Sequence, residues 1–326
     1  MTPPPVPSQP TASTAGTVAE LGEFGLIEVI VPLFAQHPDV LVGPGDDAAV
    51  VAIGANQVLV STDLLIENRH FRRDWSSAED IGHKAAAANL SDLNAMGGRT
   101  TALVVALAIP GDLEVAWVRD LASGIAAEAA LVGASVVGGD VTASDQVSIA
   151  VTVLGTCAAP VLRSGARAGD VVAVCGRLGW AGAGFHVLGR GFRSPRAVVE
   201  AHRRPRPPYS AGPEAASAGA TAMIDLSDGL LADLGHVAAA SGCSIDVQSA
   251  AFEVEEPLRA VGAALGLDPL QFVLTGGDDY ALAATFPAGT TLPEGWTVVG
   301  RVAAGGAVVT VDGVAYDGPA GHEHFR

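Results

Sequence analysis

The chain has almost no lysine: Lys84 is the only one among 326 residues, and 35 acidic against 18 basic side chains give a formal net charge of −17. A protein that grips nucleic acid by releasing counterions needs a basic face, so this balance argues against that class. Anionic small molecules stay open, because metal ions can bring the positive charge that the side chains do not. Cysteine is scarce too. Cys157, Cys175 and Cys243 are odd in number, far apart and in no CxxC pair. That sets aside a disulfide frame and a zinc site, and predicts buried thiols in a reducing cytoplasm. Apolar runs stop short of the roughly 18–20 residues that span a bilayer. The opening MTPPPVPSQPTASTAGT lacks the basic start and apolar centre of a secretory leader, so residues 1–18 read as a disordered tail and the protein as cytoplasmic. No GxxxxGK[ST] loop occurs, Lys84 follows no glycine-rich turn, and the glycine-rich and catalytic loops of protein kinases are missing.

What is abundant is small and aliphatic. Hydrophobic residues make up 49% of the chain and aromatics 5%, which predicts closely packed helices and sheets with little aromatic filling. The length suits two domains. In ELGEFGLIEVIVPLFAQ, Leu21, Phe24, Ile27 and Ile30 fall along one side of a helix. NQVLVSTDLLI reads as a strand entering polar Ser61, Thr62 and Asp63. SAEDIGHKAAAANLSDLNAMGG is a helix with a Ser cap and a Gly97-Gly98 stop. TTALVVALAIP is a buried strand, EVAWVRDLASGIAAEAALVG a helix, and SVVGGDVTASDQVSIAVTVLGT two strands about an acidic turn. A boundary near 157 follows from the Pro, Gly and basic residues of CAAPVLRSGARAGD, dividing residues 19–156 from 157–326. Beyond it come a strand and Gly turn in DVVAVCGRLG, a Pro/Arg connector, and a strand, acidic turn and helix in AMIDLSDGLLADLGHVAAASG. FVLTGGDDYALAATF reads as two strands about a Gly-Gly-Asp-Asp turn. The fold class is mixed α/β in two halves.

Carboxylates recur at strand mouths and helix starts: Asp46 and Asp47, Asp63, Asp140, Asp225 and Asp228, Asp278 and Asp279. Asp92 lies within a helix, one turn beyond Asn89 and on the same side. Singly, each is ordinary as a turn former or cap. Together, beside glycines and with few cations to balance them, they suit a hard cation such as Mg²⁺ shared with phosphate oxygens. His70 follows Asp63 in a polar segment and is either structural or functional. Arg163 is either a surface cation or a phosphate clamp. Gly138-Gly139 reads as a tight turn that would also let a backbone N–H reach a nucleotide.

In order, GPGDDAAVV, STDLLIENRHF, IGHKAAAANLSDLNAMGG, VVGGDVT, RSGARAGD, IDLSDGLLADLGH and LTGGDDYAL resemble the thiamine-monophosphate kinase family of the aminoimidazole ribonucleotide synthetase superfamily, from about residue 20 to the C-terminus. The resemblance implies ATP-dependent phosphorylation of thiamine monophosphate to thiamine diphosphate by a homodimer, assisted by several Mg²⁺ ions. It also implies an N-terminal half that supplies a barrel-type dimer interface and a C-terminal half that closes over the site. By position it implies Asp46, Ser61, Thr62, Asp63, Asp92, Asp140, Asp225 and Asp228 as metal ligands, with Asp63, Asp225 and Asp228 at the chemistry. Gly139, Arg163 and Ser227 match nucleotide contacts, and His70, Asp278 and His322 match acceptor contacts. Two positions depart from the family pattern: Asp278 stands where Glu is frequent, and His322 stands where a larger aromatic is expected. Another ATP-dependent enzyme of the superfamily and a non-catalytic metal- or nucleotide-binding protein are the alternatives. No reactive Cys–Lys segment or C-terminal Cys of the selenophosphate or hydrogenase-maturation branches is present.

Overall fold

A computed structural model describes residues 16–17, 20–21, 26, 29–42, 50–51 and 58–321. The predicted tail (but for residues 16–17), the helix positions Phe24 and Ile27, the Asp46-Asp47 pair and His322 lie outside the described residues. The first structured unit is a four-stranded sheet in the order β3-β6-β4-β5, formed by β3 (Leu59–Ile66), β4 (Arg99–Ile109), β5 (Ser135–Ala143) and β6 (Ser148–Thr156). A short antiparallel pair, β1 (Val40–Val42) and β2 (Val50–Val51), precedes it. β6 inserts between β3 and β4 and runs antiparallel to both, while β5 pairs in parallel with β4. The helix that makes this parallel crossover possible is α2 (Val115–Leu131); α1 (Ala78–Ala95) packs beside it on the same face of the sheet.

α1 begins on a reciprocal cap. Ser77 Oγ accepts the Asp80 N–H at 3.2 Å, and the Asp80 carboxylate accepts the Ser77 N–H at 3.1 Å, satisfying two of the orphan donors of the first turn. It stops as the sequence predicts, with Gly97 at φ 70. α1 and α2 touch backbone to backbone at Gly82 and Gly124, where a Cβ on either would strike the other helix. This is how an aromatic-poor chain fills its core: small residues bring backbones together, and little bulk is needed between them.

The second unit is a seven-stranded sheet in the order β13-β12-β9-β11-β7-β10-β8. Its strands are β7 (Val171–Cys175), β8 (Ala222–Leu226), β9 (Cys243–Val247), β10 (Ala281–Phe286), β11 (Trp296–Ala304), β12 (Val309–Val311) and β13 (Val314–Ala315). Strand residues alternate between two cores. Val172, Val174, Ile224 and Leu226 meet Leu230, Leu234 and Val237 of the helix Leu230–Ser241. Ala173, Cys175, Met223 and Leu282 face the other way, onto Ala211 and Ala215 and onto Ala95 at the end of α1. The two units therefore share a core at that point. The segments Trp180–Gly189, Arg196–Arg203, Glu256–Leu265 and Pro269–Thr275 are further helices, which pack into a cluster of their own.

Two local expectations are corrected. FVLT is not a strand: it ends the helix Pro269–Thr275, which Asp268 caps by accepting the Leu270 N–H at 3.0 Å, with Pro269 in the first turn. A short apolar run does not by itself distinguish strand from buried helix, and the cap decides it. Gly138-Gly139 is not a turn either. Both lie inside β5, and a Cβ at Gly139 would strike the Val105 backbone of the neighbouring strand. All three cysteines are buried and free, as expected. Among the described residues no helix is long and apolar enough to cross a membrane.

Candidate active site

The strand period places alternate residues of β3 on opposite faces. Ser61 and Asp63 face α1, where Ser61 Oγ donates to Asp92 Oδ2 at 2.6 Å and the Asp63 N–H donates to Asn89 Oδ1 at 2.9 Å. Asn89 is itself fixed, its amide donating to the Ala85 carbonyl at 2.9 Å. From the second unit, β8 delivers Asp225, only 5% exposed, to the same place. Burial pushes Asp92 up to about 7, and the Asp225 and Asp63 charges push the same way; the Ser61 hydroxyl and Arg163 pull against them. Burial likewise pushes Asp225 up to about 7, opposed by the adjacent Ser91 hydroxyl and Arg163 and reinforced by Asp233 and Asp63. Asp92 and Asp225, from two units, are thus crowded by Asp63, whose charge disfavours the ionisation of both.

The turn after β8 carries Ser227 and Asp228. Asp233, one turn into the following helix, accepts the N–H groups of Asp228 and Gly229 at 3.1 and 3.0 Å; burial pushes it up to about 7 despite those bonds. His236 brings a ring nitrogen within 4.8 Å of the Asp228 and Asp233 carboxylates. Arg163, on the segment between β6 and β7, is in electrostatic reach of Asp92, Asp225 and Asp233. The Ser227 carbonyl accepts the Asp278 N–H at 2.8 Å, which ties the turn bearing Asp228 to the Gly-Gly-Asp-Asp turn. In that second turn the two aspartates part company. Asp279 points into the protein and accepts the N–H groups of Gly179 and Ala181, capping the helix Trp180–Gly189. Asp278 is half-buried and turned the other way, its Oδ2 taking a 2.8 Å bond from Lys84 Nζ of α1. Burial pushes Asp278 up, but Lys84, by its charge and its hydrogen bond, and the Tyr280 hydroxyl outweigh it and hold the carboxyl below its ordinary range. His70, in the turn leaving β3, accepts the Ile66 N–H through Nδ1 at 2.9 Å.

Asp63, Asp92, Asp225, Ser61 and Arg163 are therefore brought together, with Asp228, Ser227 and Asp278 in turns bonded to one another beside them. Thr62 and Asp140 are not. Thr62 pairs with Thr152, and Asp140 lies across from Ala106, on the face of the sheet turned away from α1. Gly139 is held within β5. Sequence reasoning passed over Lys84, Tyr280 and Asp233 as site or support residues, and counted Asp279 with the cation-binding carboxylates, whereas it caps a helix. The one available signal was that the chain's sole lysine stands eight residues before Asp92 on one helix.

Carboxylates raised toward neutrality, as Asp92 and Asp225 are, fit a hard divalent cation, whose charge would return them to the ionised form; among the described residues the ligand atoms that lie within 4.8 Å of one another are those of Asp228, Asp233 and His236, which adds a ring nitrogen. The two-unit fold with this shared cluster defines a class. The sequence matches the AIR synthase related protein family, N-terminal domain over residues 45–157 and C-terminal domain over residues 167–312. Within that class, the thiamine-monophosphate kinase of Mycobacterium tuberculosis (strain H37Rv) is 45% identical over 317 residues, covering 96% of this chain and 95% of the relative. The structure of the Stenotrophomonas maltophilia K279a thiamine-monophosphate kinase superimposes with a TM-score of 0.80 at 34% identity, over 91% of this chain and 98% of that one. The structure of AaThiL complexed with AMPPCP and TMP gives 0.79 at 35% identity, over 94% and 98%. The chain belongs to the thiamine-monophosphate kinase family.

Proposed function

We propose that this protein transfers the γ-phosphoryl group of ATP to thiamine monophosphate, releasing ADP and thiamine diphosphate in the cytoplasm, and that it does so as a homodimer with Mg²⁺. The observation that carries the reading is the convergence of Asp63 and Asp92 from one unit with Asp225 from the other, beside the Lys84–Asp278 pair. The solved relative complexed with AMPPCP and TMP supports it. Asp63, Asp92 and Asp225 would hold a divalent ion, with Ser61 orienting Asp92 and Asp228 at the rim. The ion, when bound, supplies positive charge against the phosphate oxygens. Asp46, Thr62 and Asp140 stay in the proposed ligand set on the resemblance, the last two, on the sheet's other face, for a further ion of the several that it implies. Arg163, Ser227 and Gly139 are assigned to the nucleotide; His70, Asp278 and His322 are assigned to the acceptor.

An oxygen of the acceptor phosphate forms the new P–O bond while the bond from the γ-phosphorus to the β,γ-bridging oxygen breaks, and ADP carries away the electron pair. That nucleophile is already ionised near neutral pH, so no general base is needed, and alignment and charge do the work. For the dimer, the support is the outer face of the four-stranded sheet. Val60 and Leu64 are 60% and 50% exposed there, alongside the small residues Thr152, Ala150 and Ala106, an apolar stretch next to Thr62 and Asp140 that suits a second copy. The test is ADP release from Mg·ATP with thiamine monophosphate, thiamine or no acceptor, with products separated by chromatography. Release with thiamine monophosphate alone, matched by thiamine diphosphate, is the expected result. Nucleotide binding without release for any acceptor would replace the kinase by the binding-protein alternative.

A further inference from the structure

The one lysine of the chain sits where solvent hardly reaches. Lys84 is 3% exposed, two turns before Asp92 on one stripe of α1. Its partner Asp278 is 194 residues away in sequence and belongs to the other unit. Lys84 Nζ donates to Asp278 Oδ2 at 2.8 Å and Tyr280 Oη donates to Oδ1 at 3.3 Å. Both oxygens are engaged, yet the Asp278 side chain is still 39% exposed, whereas that of Lys84 is 4% exposed. Asp278 and Tyr280 both lie at positive φ, 66 and 51, a region that side chains other than glycine rarely adopt and that persists where surrounding contacts over-determine it.

A pair that merely fastened the two units would bury both charges alike, and other contacts already fasten them. Arg204 binds Asp80 and reaches Glu79 at 3.4 Å, and Asn94 bonds the Pro208 carbonyl and the Gly212 N–H at 3.0 Å each. The Lys84–Asp278 pair is lopsided: a sunken ammonium and a carboxylate with one open edge. His202 cannot stand in for Lys84 as the countercharge. Burial holds its imidazole far below the ordinary range, at about 3, so the ring is neutral. An ammonium so buried costs several kcal/mol unless partnered, which keeps it on Asp278.

Resting on the kinase reading above, we propose that Lys84 is a positioning residue for acceptor recognition: with Tyr280 it sets the Asp278 carboxylate at one angle, its open edge presented to the cationic ring of the acceptor. The acceptor class is a phosphate monoester carried on an organic cation. Lys84 acts through Asp278 and does not touch the transferred group.

The experiment measures steady-state kinetics with Mg·ATP and calorimetric binding of thiamine monophosphate. It uses wild type, Lys84→Met, Asp278→Asn and the double variant, each melted to check folding. Lys84→Met is expected to raise the KM and Kd for thiamine monophosphate at least about tenfold, the size of one charge-assisted hydrogen bond, with KM for ATP within about twofold. The double variant is expected to be no worse than Asp278→Asn, because both changes remove one arrangement. Additive losses, an unchanged acceptor KM, or equal falls for both substrates with a lowered melting temperature would overturn the proposal and leave Lys84 a fastening between units. A wild type that neither binds nor phosphorylates thiamine monophosphate would overturn the kinase reading and this proposal together. A working wild type with indifferent variants overturns this proposal alone.

Discussion

Replacing Asp225 by Asn separates what the carboxylate costs the fold from what it does for the reaction. In the folded chain burial raises the group from 3.8 to about 7, so between those values the folded state holds a proton that the unfolded state has lost. Stability then falls as pH rises through that window and levels off above it. At about 1.4 kcal/mol per pH unit, the full fall is roughly 4 kcal/mol, an upper bound because Asp63 and Asp92 relax with it. Asn carries no charge and removes the fall. In metal-free buffer at pH 8, Asp225→Asn should therefore melt several degrees above wild type, at roughly 2 °C or more per kcal/mol. The gain should shrink by more than half at pH 5 and vanish below pH 4. Turnover with Mg·ATP should fall on the order of a hundredfold or more, as when a preorganised charge-stabilising group is removed. Differential scanning calorimetry in chelator across pH, paired with the ADP assay, reads both. A metal-free variant no more stable than wild type at pH 8 would refute the crowding argument.

Asp279→Ala removes the acceptor for the Gly179 and Ala181 N–H groups; a loss of about 1–2 kcal/mol in urea denaturation is expected, the size of a helix cap. Glu128 accepts from Tyr209 Oη at 2.6 Å and lies 2.7 Å from His83 Nδ1. Glu128→Ala should cost roughly 2–3 kcal/mol by stranding them, while the turnover of the folded fraction is kept. Leu64→Asp, on the exposed sheet face, should convert a dimer to a monomer in light scattering while the circular dichroism spectrum stays that of wild type.

Features that depend on neighbouring residues were legible in the sequence. The Ser77 cap, the Gly97 stop and the helix spacing that puts Asn89 and Asp92 on one side all follow from a few adjacent positions. So does the strand, turn and helix around Asp225 and Asp228. The β3-β6-β4-β5 order was not legible, because β6 could pair with any exposed strand of matching alternation until the α2 crossover places β5 beyond β4. Gly139 was misread because a glycine needed for close strand approach looks the same in sequence as one needed for a turn. In the site, residue types were visible but facing was not. Thr62 and Asp63 are neighbours in sequence and point to opposite faces of the sheet, and no count of carboxylates says which of them meets Asp225. Lys84 stands out in the sequence as the sole lysine and as one that follows no P-loop; its meaning depends on Asp278, far along the chain and out of reach of any local pattern.

With one lysine, the protein has one ε-amine for a spectrometer to see. Lysine labelled with ¹⁵N would give a single side-chain ammonium resonance, free of overlap, from the junction of the two units. Its shift and its proton-exchange rate would report the state of that junction without a foreign probe. Amine-reactive dyes would find almost nothing else than the chain terminus, so any slow reaction at Lys84 would time the opening of that junction.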